Sequence, residues 1–255
     1  MTATVTAPRI ALDGMAVAVL GASRGIGAGT AVACAAAGAG AVTVMGRTEA
    51  DLEAVAGRVA AAGAEATVRR CDVTSTESIG AAFASLPRLD AVVVAAGTNQ
   101  PEPFAAVAPE TFDRLFALNV RGAFFAAQAA VTRMPAEGGG AIVFVSSQMG
   151  HVGAANRTVY CATKHALEGM TKAMAVELAP RRIRVVSVAP TFVRTEMTAA
   201  QLDDPEIGPA LLRRIPSGRF GSIDEVAAAI VYAASPAAGL MTGTSLVIDG
   251  GWTAQ

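Results

Sequence analysis

The chain has 255 residues, of which 53% are hydrophobic and only 16% are charged, and its formal net charge is −1. This length suits one large α/β domain spanning residues 1–255. The near-neutral charge excludes the electrostatic footprint of a protein that binds nucleic acid or an anionic membrane.

Three cysteines, Cys34, Cys71 and Cys161, are an odd number at unrelated spacings, so neither a disulfide framework nor a metal site is indicated. A secretory signal requires a basic region followed by an apolar run, and residues 1–14 contain no such pattern. No apolar stretch reaches the roughly 20 residues of a membrane span. A soluble, cytoplasmic protein without a membrane partner is expected.

Short β-branched runs alternate with longer alanine-rich segments along the chain. Strands are predicted at 16–20, 41–45, 66–71, 91–95, 141–146, 183–188 and 245–250. Helices are predicted near 25–37, 49–62, 75–85, 109–134, 158–178 and 223–234. Most strands are apolar on both faces, as is typical of parallel strands covered by helices. The pattern predicts a single Rossmann-type, doubly wound parallel sheet of about seven strands, with helices on both faces.

Several helix ends carry recognisable signals. Thr48 and Ser222 each stand three residues before an acidic residue, which predicts capping of the helices that follow. Gly38 and Gly63 follow helices where a left-handed residue is wanted. The segment 195–221 fits no strand or long helix, and loops of that size are usually functional, so a helical substrate lid is expected there.

The first strand runs directly into the glycine turn GASRGIG, residues 21–27. Gly21 can adopt a backbone conformation closed to other residues, Gly25 permits close approach of a phosphate, and Gly27 permits close packing of the next helix. The helix N-terminus then offers free N–H groups to a pyrophosphate. The placement of this turn after a strand predicts a dinucleotide site.

The end of the second strand bears on which dinucleotide binds. Gly46 stands where an NAD site commonly has an acid, and Arg47 follows it. With Arg24 of the glycine turn, Arg47 could clamp a 2′-phosphate, which favours NADP(H), with NAD(H) possible. The alternative is that Arg47 is solvated. Asp72, after the third strand, is expected to accept a hydrogen bond from the adenine amino group.

The stretch RTVYCATKHALEG, residues 157–169, places Tyr160 and Lys164 one helical turn apart. Alone, this pair is better explained as a lysine snorkelling beside a packing tyrosine. Ser147 stands thirteen residues before Tyr160, and Asn119 lies in the preceding long predicted helix. Together with the glycine turn, these residues form an ordered constellation spread over nearly 150 residues.

The chain closely resembles the short-chain dehydrogenase/reductase family in its classical form, from GASRGIG to the C-terminal TGTSLVIDGGW. The resemblance implies hydride transfer between a nicotinamide and a carbonyl or alcohol carbon. Tyr160 would be the acid or base, with its pKa lowered by Lys164 and by the oxidised nicotinamide ring. Ser147 would hold the substrate oxygen. Asn119 would bind a water that links Lys164 to solvent.

The resemblance also implies the remaining contacts. Cofactor-binding residues are expected to be Gly21, Ser23, Arg24, Gly25, Ile26, Gly27, Arg47, Asp72, Val73, Ala96, Gly97, Tyr160, Lys164, Pro190, Val193 and Thr195. Substrate contacts are expected from Ser147, His151, Tyr160 and Met197, with hydrogen bonding within its loop as the alternative for His151.

The sequence departs from the family pattern at several positions. Leu20 replaces a threonine before the first glycine, and Thr191 replaces a glycine of the nicotinamide pocket. Val94 and Ala95 replace two asparagines that normally brace the sheet, so the family pattern does not show what supports Asn119 here. None of these changes removes a group that transfers a proton or a hydride.

Within the family, 3-oxoacyl-carrier-protein reductases and sugar or polyol dehydrogenases are the most similar. An apolar face of the segment 195–221 favours NADPH-dependent reduction of a 3-oxoacyl or other ketone. Alternatives are a sugar or polyol dehydrogenase, a catalytically silent NADP-binding regulator, and a scaffold. The small-residue helices at 109–134 and 158–178 resemble those of the family's dimer interface, so a homotetramer is expected.

Overall fold

The computed structural model describes residues 9–136 and 138–255. Within them, seven parallel strands form one sheet in the order β3-β2-β1-β4-β5-β6-β7. Strands β1 to β7 are Ala16–Leu20, Ala41–Gly46, Glu65–Arg70, Ala91–Val94, Gly140–Val145, Ile183–Pro190 and Thr244–Ile248. The predicted doubly wound parallel sheet is confirmed.

The helices connect these strands in sequence. Helices α1 to α9 are Gly25–Ala36, Glu49–Ala61, Thr76–Ala84, Pro109–Phe116, Gly122–Val131, Thr158–Leu178, Ala199–Leu202, Ile207–Leu212 and Ile223–Ala234. Side chains alternate along β1, because successive residues of a strand point to opposite faces. Val17 and Val19 join the core under α1, α2 and α9, whereas Ala18 and Leu20 join the core under α3, α5 and α6.

The position of β1 decides where a ligand can bind. β1 pairs with β2 on one side and with β4 on the other, so the chain reverses its direction of travel across the sheet at this strand. Parallel sheets open a crevice beyond the carboxyl ends of the strands at such a switch point. The loops after β1, β4 and β5 meet there.

The predicted helix over 109–134 is interrupted in the structure. Helix α4 ends at Phe116, a π-helical turn spans Ala117–Arg121, and α5 begins at Gly122. A π turn inserts one extra residue into the helical ladder and often occurs at functional sites. Asn119 lies in this turn and is buried.

The helix-end predictions have mixed outcomes. Ser222 and Glu225 form the expected capping box, and Gly38 and Gly63 adopt positive φ angles of 93° and 103°. Thr48 occupies the N-cap position of α2 as predicted, but its side chain makes no capping hydrogen bond with any described residue. Ser75 caps α3 by accepting a hydrogen bond from the Ser78 N–H, a cap that the sequence pattern did not single out.

Strand ends differ from prediction by one or two residues. β6 continues to Pro190 because Pro190 pairs in register with Ile248 of β7. β7 ends early because the Asp249 carboxylate accepts hydrogen bonds from the Gly251 and Thr253 N–H groups and so starts a turn.

Among the helices of the described ranges, none combines the length and apolar character needed to cross a membrane. The expectation about a secretory signal concerns residues 1–14, of which residues 1–8 lie outside the described residues.

Candidate active site

The switch point opens into a cleft of about 690 Å³ at the carboxyl ends of the strands. Most of the predicted site residues line it. They are Gly21, Ser23, Arg24, Gly25, Ile26, Gly27, Arg47, Asp72, Val73, Ala96, Gly97, Ser147, Tyr160, Lys164, Pro190, Val193, Thr195 and Met197. Asn119 and His151, the other two, lie outside its lining.

The glycine turn between β1 and α1 has the geometry that a phosphate cradle needs. Gly21 and Gly25 adopt positive φ angles of 85° and 56°, which favour glycine. A Cβ atom on Gly21 would lie 2.6 Å from the Ala96 nitrogen, and one on Gly27 would overlap the Gly21 carbonyl oxygen. A Cβ on Gly25 would meet only the Thr195 side chain, so the turn is open on the cleft side.

The N-terminus of α1 is available to an anion. Arg24 occupies its N-cap position without capping it, and the first turn carries no acidic residue among those described. Its first N–H groups and the positive end of the helix dipole therefore face the cleft without a competing acceptor. This uncapped helix end, together with the glycine cradle, fits the pyrophosphate of a dinucleotide.

Two exposed arginines flank the predicted adenosine end of the cleft. Neither Arg24 nor Arg47 lies within salt-bridge distance of a carboxylate in residues 9–136 or 138–255. Asp72 Oδ1 accepts hydrogen bonds from the Thr74 N–H and hydroxyl groups, at 2.9 and 2.7 Å. These bonds hold the pKa of the Asp72 carboxyl below its usual range, and the charge of Arg47 contributes less.

Tyr160 and Lys164 lie on the first turns of α6 and face the cleft together. The Lys164 Nζ atom lies 5.6 Å from the centroid of the Tyr160 ring and donates a 2.9 Å hydrogen bond to the Val145 carbonyl at the end of β5. Burial lowers the pKa of Lys164 to about 8, although the nearby Glu168 charge opposes this shift. Burial therefore disfavours the charged form of Lys164, because the ammonium has lost its hydrating water.

The Tyr160 phenol has a raised pKa in the chain alone. Burial is the main cause, and a hydrogen bond with Ser147 and the charge of Arg157 oppose it. The expected lowering by Lys164 and the oxidised nicotinamide ring concerns the loaded site and stays a prediction. The Ser147 hydroxyl also accepts a 3.2 Å hydrogen bond from the Met149 N–H, which fixes its rotamer toward the loop after β5.

The His151 side chain hydrogen-bonds to neither the cleft lining nor its own loop among the described residues. Its Nε2 atom lies 3.1 Å from the Ser245 hydroxyl on β7 and 3.6 Å from the buried Glu168 carboxylate. The imidazole therefore faces the β7 side of α6, away from the cleft. The expected substrate contact is not seen, because the short 3₁₀ turn Gln148–Gly150 carries the chain past the cleft before His151.

Asn119 has a well-defined support despite Val94 and Ala95. Its Oδ1 atom accepts a 2.9 Å bond from the Thr98 N–H, and its Nδ2 donates to the Thr98 carbonyl at 2.9 Å and to the Thr163 hydroxyl at 3.1 Å. Asn119 thus ties the loop after β4 to α6. A Cβ on Gly97 would lie 3.4 Å from Asn119 Oδ1 and 3.7 Å from Lys164 Nζ, so Gly97 leaves space between them and the cleft.

The segment 195–221 covers the cleft only in part with apolar side chains. Met197 lines the cleft, but Leu202 and Ile215 are buried within the lid, where they anchor it. Arg214 stacks on Trp252 with its guanidinium 4.1 Å from the ring centroid. The lid therefore buries Leu202 and Ile215 in packing, leaves Ile207 exposed, and presents Met197 to the cleft.

Three polar side chains of the cleft were not assigned a role from the sequence. Gln148 is 1% exposed, and neither atom of its amide group has a hydrogen-bond partner among the described residues. Arg157 and Gln201 line the cleft beside it, with 3.5 Å between Arg157 Nη2 and Gln201 Oε1. Sequence patterns carry no signal for Arg157 and Gln201, because only burial distinguishes Arg157 from a surface arginine and only its place in the cleft lining distinguishes Gln201. Thr191, the departure from glycine, also lines the cleft, and its buried hydroxyl has no described partner.

A phosphate cradle at the switch point, beside a phenol, a serine hydroxyl and a buried ammonium, defines a nucleotide-dependent oxidoreductase. The family model described as enoyl-(acyl carrier protein) reductase matches residues 21–253. Human L-xylulose reductase is 39% identical over 252 residues, covering 95% of this chain and 98% of that protein.

Two solved structures are also similar to this chain. A short-chain type dehydrogenase/reductase from Mycobacterium marinum has a TM-score of 0.90 and 37% identity, covering 97% of this chain and 98% of that one. A gluconate 5-dehydrogenase from Burkholderia cenocepacia J2315, in complex with NADP and tartrate, has a TM-score of 0.92 and 32% identity, with coverage of 97% and 98%. The chain belongs to the short-chain dehydrogenase/reductase family, NAD(P)-dependent enzymes that transfer a hydride between nicotinamide and a ketone or secondary alcohol.

Proposed function

We propose that this enzyme interconverts a keto-sugar or keto-sugar acid and the corresponding polyol or sugar acid, with NADP(H) preferred over NAD(H). The observation that carries the proposal is the polar lining of the substrate end of the cleft. Gln148, Arg157 and Gln201 line the same cleft as Tyr160 and Ser147, and neither atom of the Gln148 amide has a hydrogen-bond partner among the described residues. Substrates with several hydroxyl groups match such a lining, because each buried polar group gains a partner.

The expected 3-oxoacyl substrate ranks second. That expectation depends on an apolar lid, and of the large apolar side chains in segment 195–221 only Met197 lines the cleft. The relatives also favour a sugar. Human L-xylulose reductase and the gluconate 5-dehydrogenase both bear names of sugar or sugar-acid enzymes and align over nearly the whole chain. The family model's own description, which names an acyl carrier protein, supports the second candidate.

The chain's own residues have the following proposed roles. When bound, the nicotinamide supplies or accepts the hydride. Tyr160 donates its phenolic proton to the substrate oxygen during reduction and takes it back during oxidation. Ser147 donates a hydrogen bond to the same oxygen. Lys164 holds the nicotinamide ribose and favours the phenolate, and Asn119 positions the water that links Lys164 to solvent.

The cleft geometry supports the following proposed cofactor contacts. Gly21, Gly25 and Gly27 with the N-terminus of α1 hold the pyrophosphate. Arg24 and Arg47 hold the 2′-phosphate of NADP, for which their guanidinium groups are suited, since neither pairs with a carboxylate of the described residues. The gluconate 5-dehydrogenase relative contains NADP, which supports this preference.

Asp72 and Val73 line the adenine end, and Ala96, Gly97, Pro190, Val193 and Thr195 line the path to the nicotinamide. Among them, Asp72 is proposed to accept a bond from the adenine amino group with its second carboxylate oxygen, because Oδ1 already serves Thr74.

A homotetramer in the cytoplasm is the proposed assembly and location. Exposed Phe112 and Phe124 lie on α4 and α5, and Val176 on α6 is 79% exposed, so these helices present apolar surface. Val247 of the outer strand β7 is also exposed, which offers a second apolar contact. All three cysteines are buried and unpaired, which fits a reducing compartment.

The test is a substrate and cofactor panel followed at 340 nm. Purified enzyme is given NADPH or NADH with keto-sugars, and separately with β-ketoesters and cyclic ketones, and Tyr160→Phe serves as the chemistry control. Tyr160-dependent turnover of keto-sugars with NADPH supports the proposal. Preference for β-ketoesters would move the 3-oxoacyl candidate ahead. Nucleotide binding without any turnover would favour the silent regulator, and failure to bind either nucleotide would favour the scaffold.

A further inference from the structure

Arg157 is held rigidly at the start of α6. Asn156, the residue before it, adopts a left-handed conformation with φ 60°, and its carbonyl accepts a 3.0 Å bond from the Glu102 N–H. The Arg157 carbonyl accepts a 2.7 Å bond from the Cys161 N–H, the first bond of the helix. The backbone around Arg157 is therefore fixed on both sides, and its side chain lines the cleft one turn before Tyr160.

The Arg157 guanidinium is buried without an anion. The residue is 7% exposed, and its Nη1 atom has no hydrogen-bond partner among residues 9–136 and 138–255. Its Nη2 atom donates to Gln201 Oε1 at 3.5 Å, which is the limit of a hydrogen bond. Burial lowers the pKa of Arg157, in keeping with a charge that has lost water and gained little in return.

Another buried arginine of the same chain shows what a structural role looks like. The Arg184 guanidinium donates to the Ala233, Ala234 and Ser235 carbonyls at 2.6, 3.0 and 3.0 Å, at the C-terminus of α9. Those bonds replace the water that Arg184 loses, and they pin the helix end to β6. Arg157 has no comparable set, so packing alone does not account for a guanidinium at this position.

Resting on the proposed function, we propose that Arg157 recognises a carboxylate of the substrate, so that the preferred substrates are sugar acids, aldonates and their keto forms, over neutral polyols. The planar guanidinium can donate two parallel bonds to a carboxylate. The carboxylate replaces the Gln201 side chain as acceptor, which requires Gln201 on the lid helix α7 to move aside. The Gln148 amide then meets the hydroxyl groups between the carboxylate and the reacting carbon.

One guanidinium matches a monoanion better than a phosphate ester, which carries close to two negative charges at neutral pH. Arg114, another arginine of the cleft lining, is exposed and already donates to Gln100. Lys164 lies beside Tyr160 at the reacting end of the cleft, where its proposed partners are the phenolate and the nicotinamide ribose, and it also donates to the Val145 carbonyl. A phosphorylated sugar would therefore leave charge uncompensated at the Arg157 end of the cleft.

The experiment compares matched pairs of substrates in the oxidation direction with NADP⁺. Each pair consists of an aldonate and the alditol of equal length, such as gluconate with glucitol and xylonate with xylitol, and gluconamide replaces the carboxylate by a neutral isostere. The wild type is expected to show a higher kcat/KM for the aldonate than for the alditol or the amide. Arg157→Gln is expected to lower the aldonate-to-alditol ratio of kcat/KM by about 10- to 100-fold, and Arg157→Lys by less.

Arg213→Gln is the matched control, because Arg213 is an exposed lid arginine outside the cleft lining, and it is expected to keep the wild-type ratio. Equal or better use of the alditol by the wild type overturns the carboxylate proposal, even if Arg157→Gln does not fold. An unchanged ratio in folded Arg157→Gln, or preference for a sugar phosphate, overturns it as well. In these cases the sugar function itself stands, whereas turnover of β-ketoesters without any sugar, polyol or sugar acid removes both.

Discussion

The Lys164 ammonium lies 5.6 Å from the centre of the Tyr160 ring and is tied to the end of β5 through the Val145 carbonyl. One turn of α6 therefore presents the phenol to the cleft while a strand end anchors the charge beside it. Because the ammonium is anchored to the main chain, its position does not depend on the substrate.

Replacement of Tyr160 by Phe removes the proposed proton donor and leaves the ring in place. We expect kcat to fall by about 10²- to 10⁴-fold, the range typical of a lost general acid or base. Nucleotide affinity, measured by NADPH fluorescence, should change little. Tyr232→Phe on α9, outside the cleft lining, is the control. Retained activity in Tyr160→Phe would assign the proton transfer to another group.

Replacement of Lys164 by Met should stabilise the folded chain near neutral pH. The pKa of Lys164 is about 8 in the folded chain against an ordinary value of 10.5, so the unfolded chain binds more protons between these pH values. Below pH 8 the buried ammonium lowers the free energy of unfolding of the wild type by its full desolvation penalty. This penalty disappears as the pH rises toward 10.5. The difference between a pKa of 10.5 and one of about 8 corresponds to a penalty of about 3 kcal/mol in the free energy of unfolding.

Urea unfolding of wild type and Lys164→Met at pH 7 and pH 10 measures this difference. We expect the variant's advantage in free energy of unfolding to shrink markedly at the higher pH. A difference that does not vary with pH would show that the buried ammonium keeps an ordinary pKa.

Replacement of Arg47 by Asp should reverse the cofactor preference. An acid at the end of β2 repels the 2′-phosphate and can accept a bond from a free ribose hydroxyl. We expect the ratio of kcat/KM for NADPH to that for NADH to fall by about 10- to 100-fold. Arg58→Asp, on the exposed side of α2, makes the same charge change away from the cleft. An equal effect of both variants would argue for net charge alone.

Replacement of Asn119 by Ala removes three hydrogen bonds from a residue that is 1% exposed. The Thr98 N–H and carbonyl groups would lose their partner, so we expect a loss of about 2–4 kcal/mol in the free energy of unfolding. Chemical denaturation provides the measurement. Gln128→Ala, an exposed amide on α5, should change stability by less than about 0.5 kcal/mol. Similar losses in both variants would mean that the Asn119 bonds are not specific.

Two glycine-to-alanine substitutions should have different effects: Gly27→Ala should weaken nucleotide binding, and Gly57→Ala should raise the stability of the folded chain. A methyl group on Gly27 would overlap the Gly21 carbonyl oxygen, so Gly27→Ala should distort the turn and weaken nucleotide binding. Gly57 lies within α2 and has open space where a methyl group would stand, so Gly57→Ala should stabilise by about 0.5–1 kcal/mol. Thermal unfolding with and without NADPH measures both. Unimpaired nucleotide binding by Gly27→Ala would contradict the close packing at the turn.

The sequence by itself determined the sheet, the order of its helices and the catalytic candidates. Alternating β-branched and alanine-rich segments are local signals, and a glycine turn after a strand carries its own geometry. Tyr160 and Lys164 lie on the same face whenever their segment is helical, because they are four residues apart. The structure places both in α6. These features follow from short-range sterics and hydrophobic periodicity, which a single sequence displays.

Only the tertiary structure decided the remaining features, because each depends on contacts between distant segments. The π turn at Asn119 and its bonds to Thr98 and Thr163 join residues 21 and 44 positions apart. His151 turns toward β7 because Ser245 and Glu168 lie there. In the sequence Arg157 is indistinguishable from a surface arginine, and only the fold shows that it is buried without a carboxylate partner among the described residues. Burial of a polar group is a property of everything packed around it, and no local pattern encodes it.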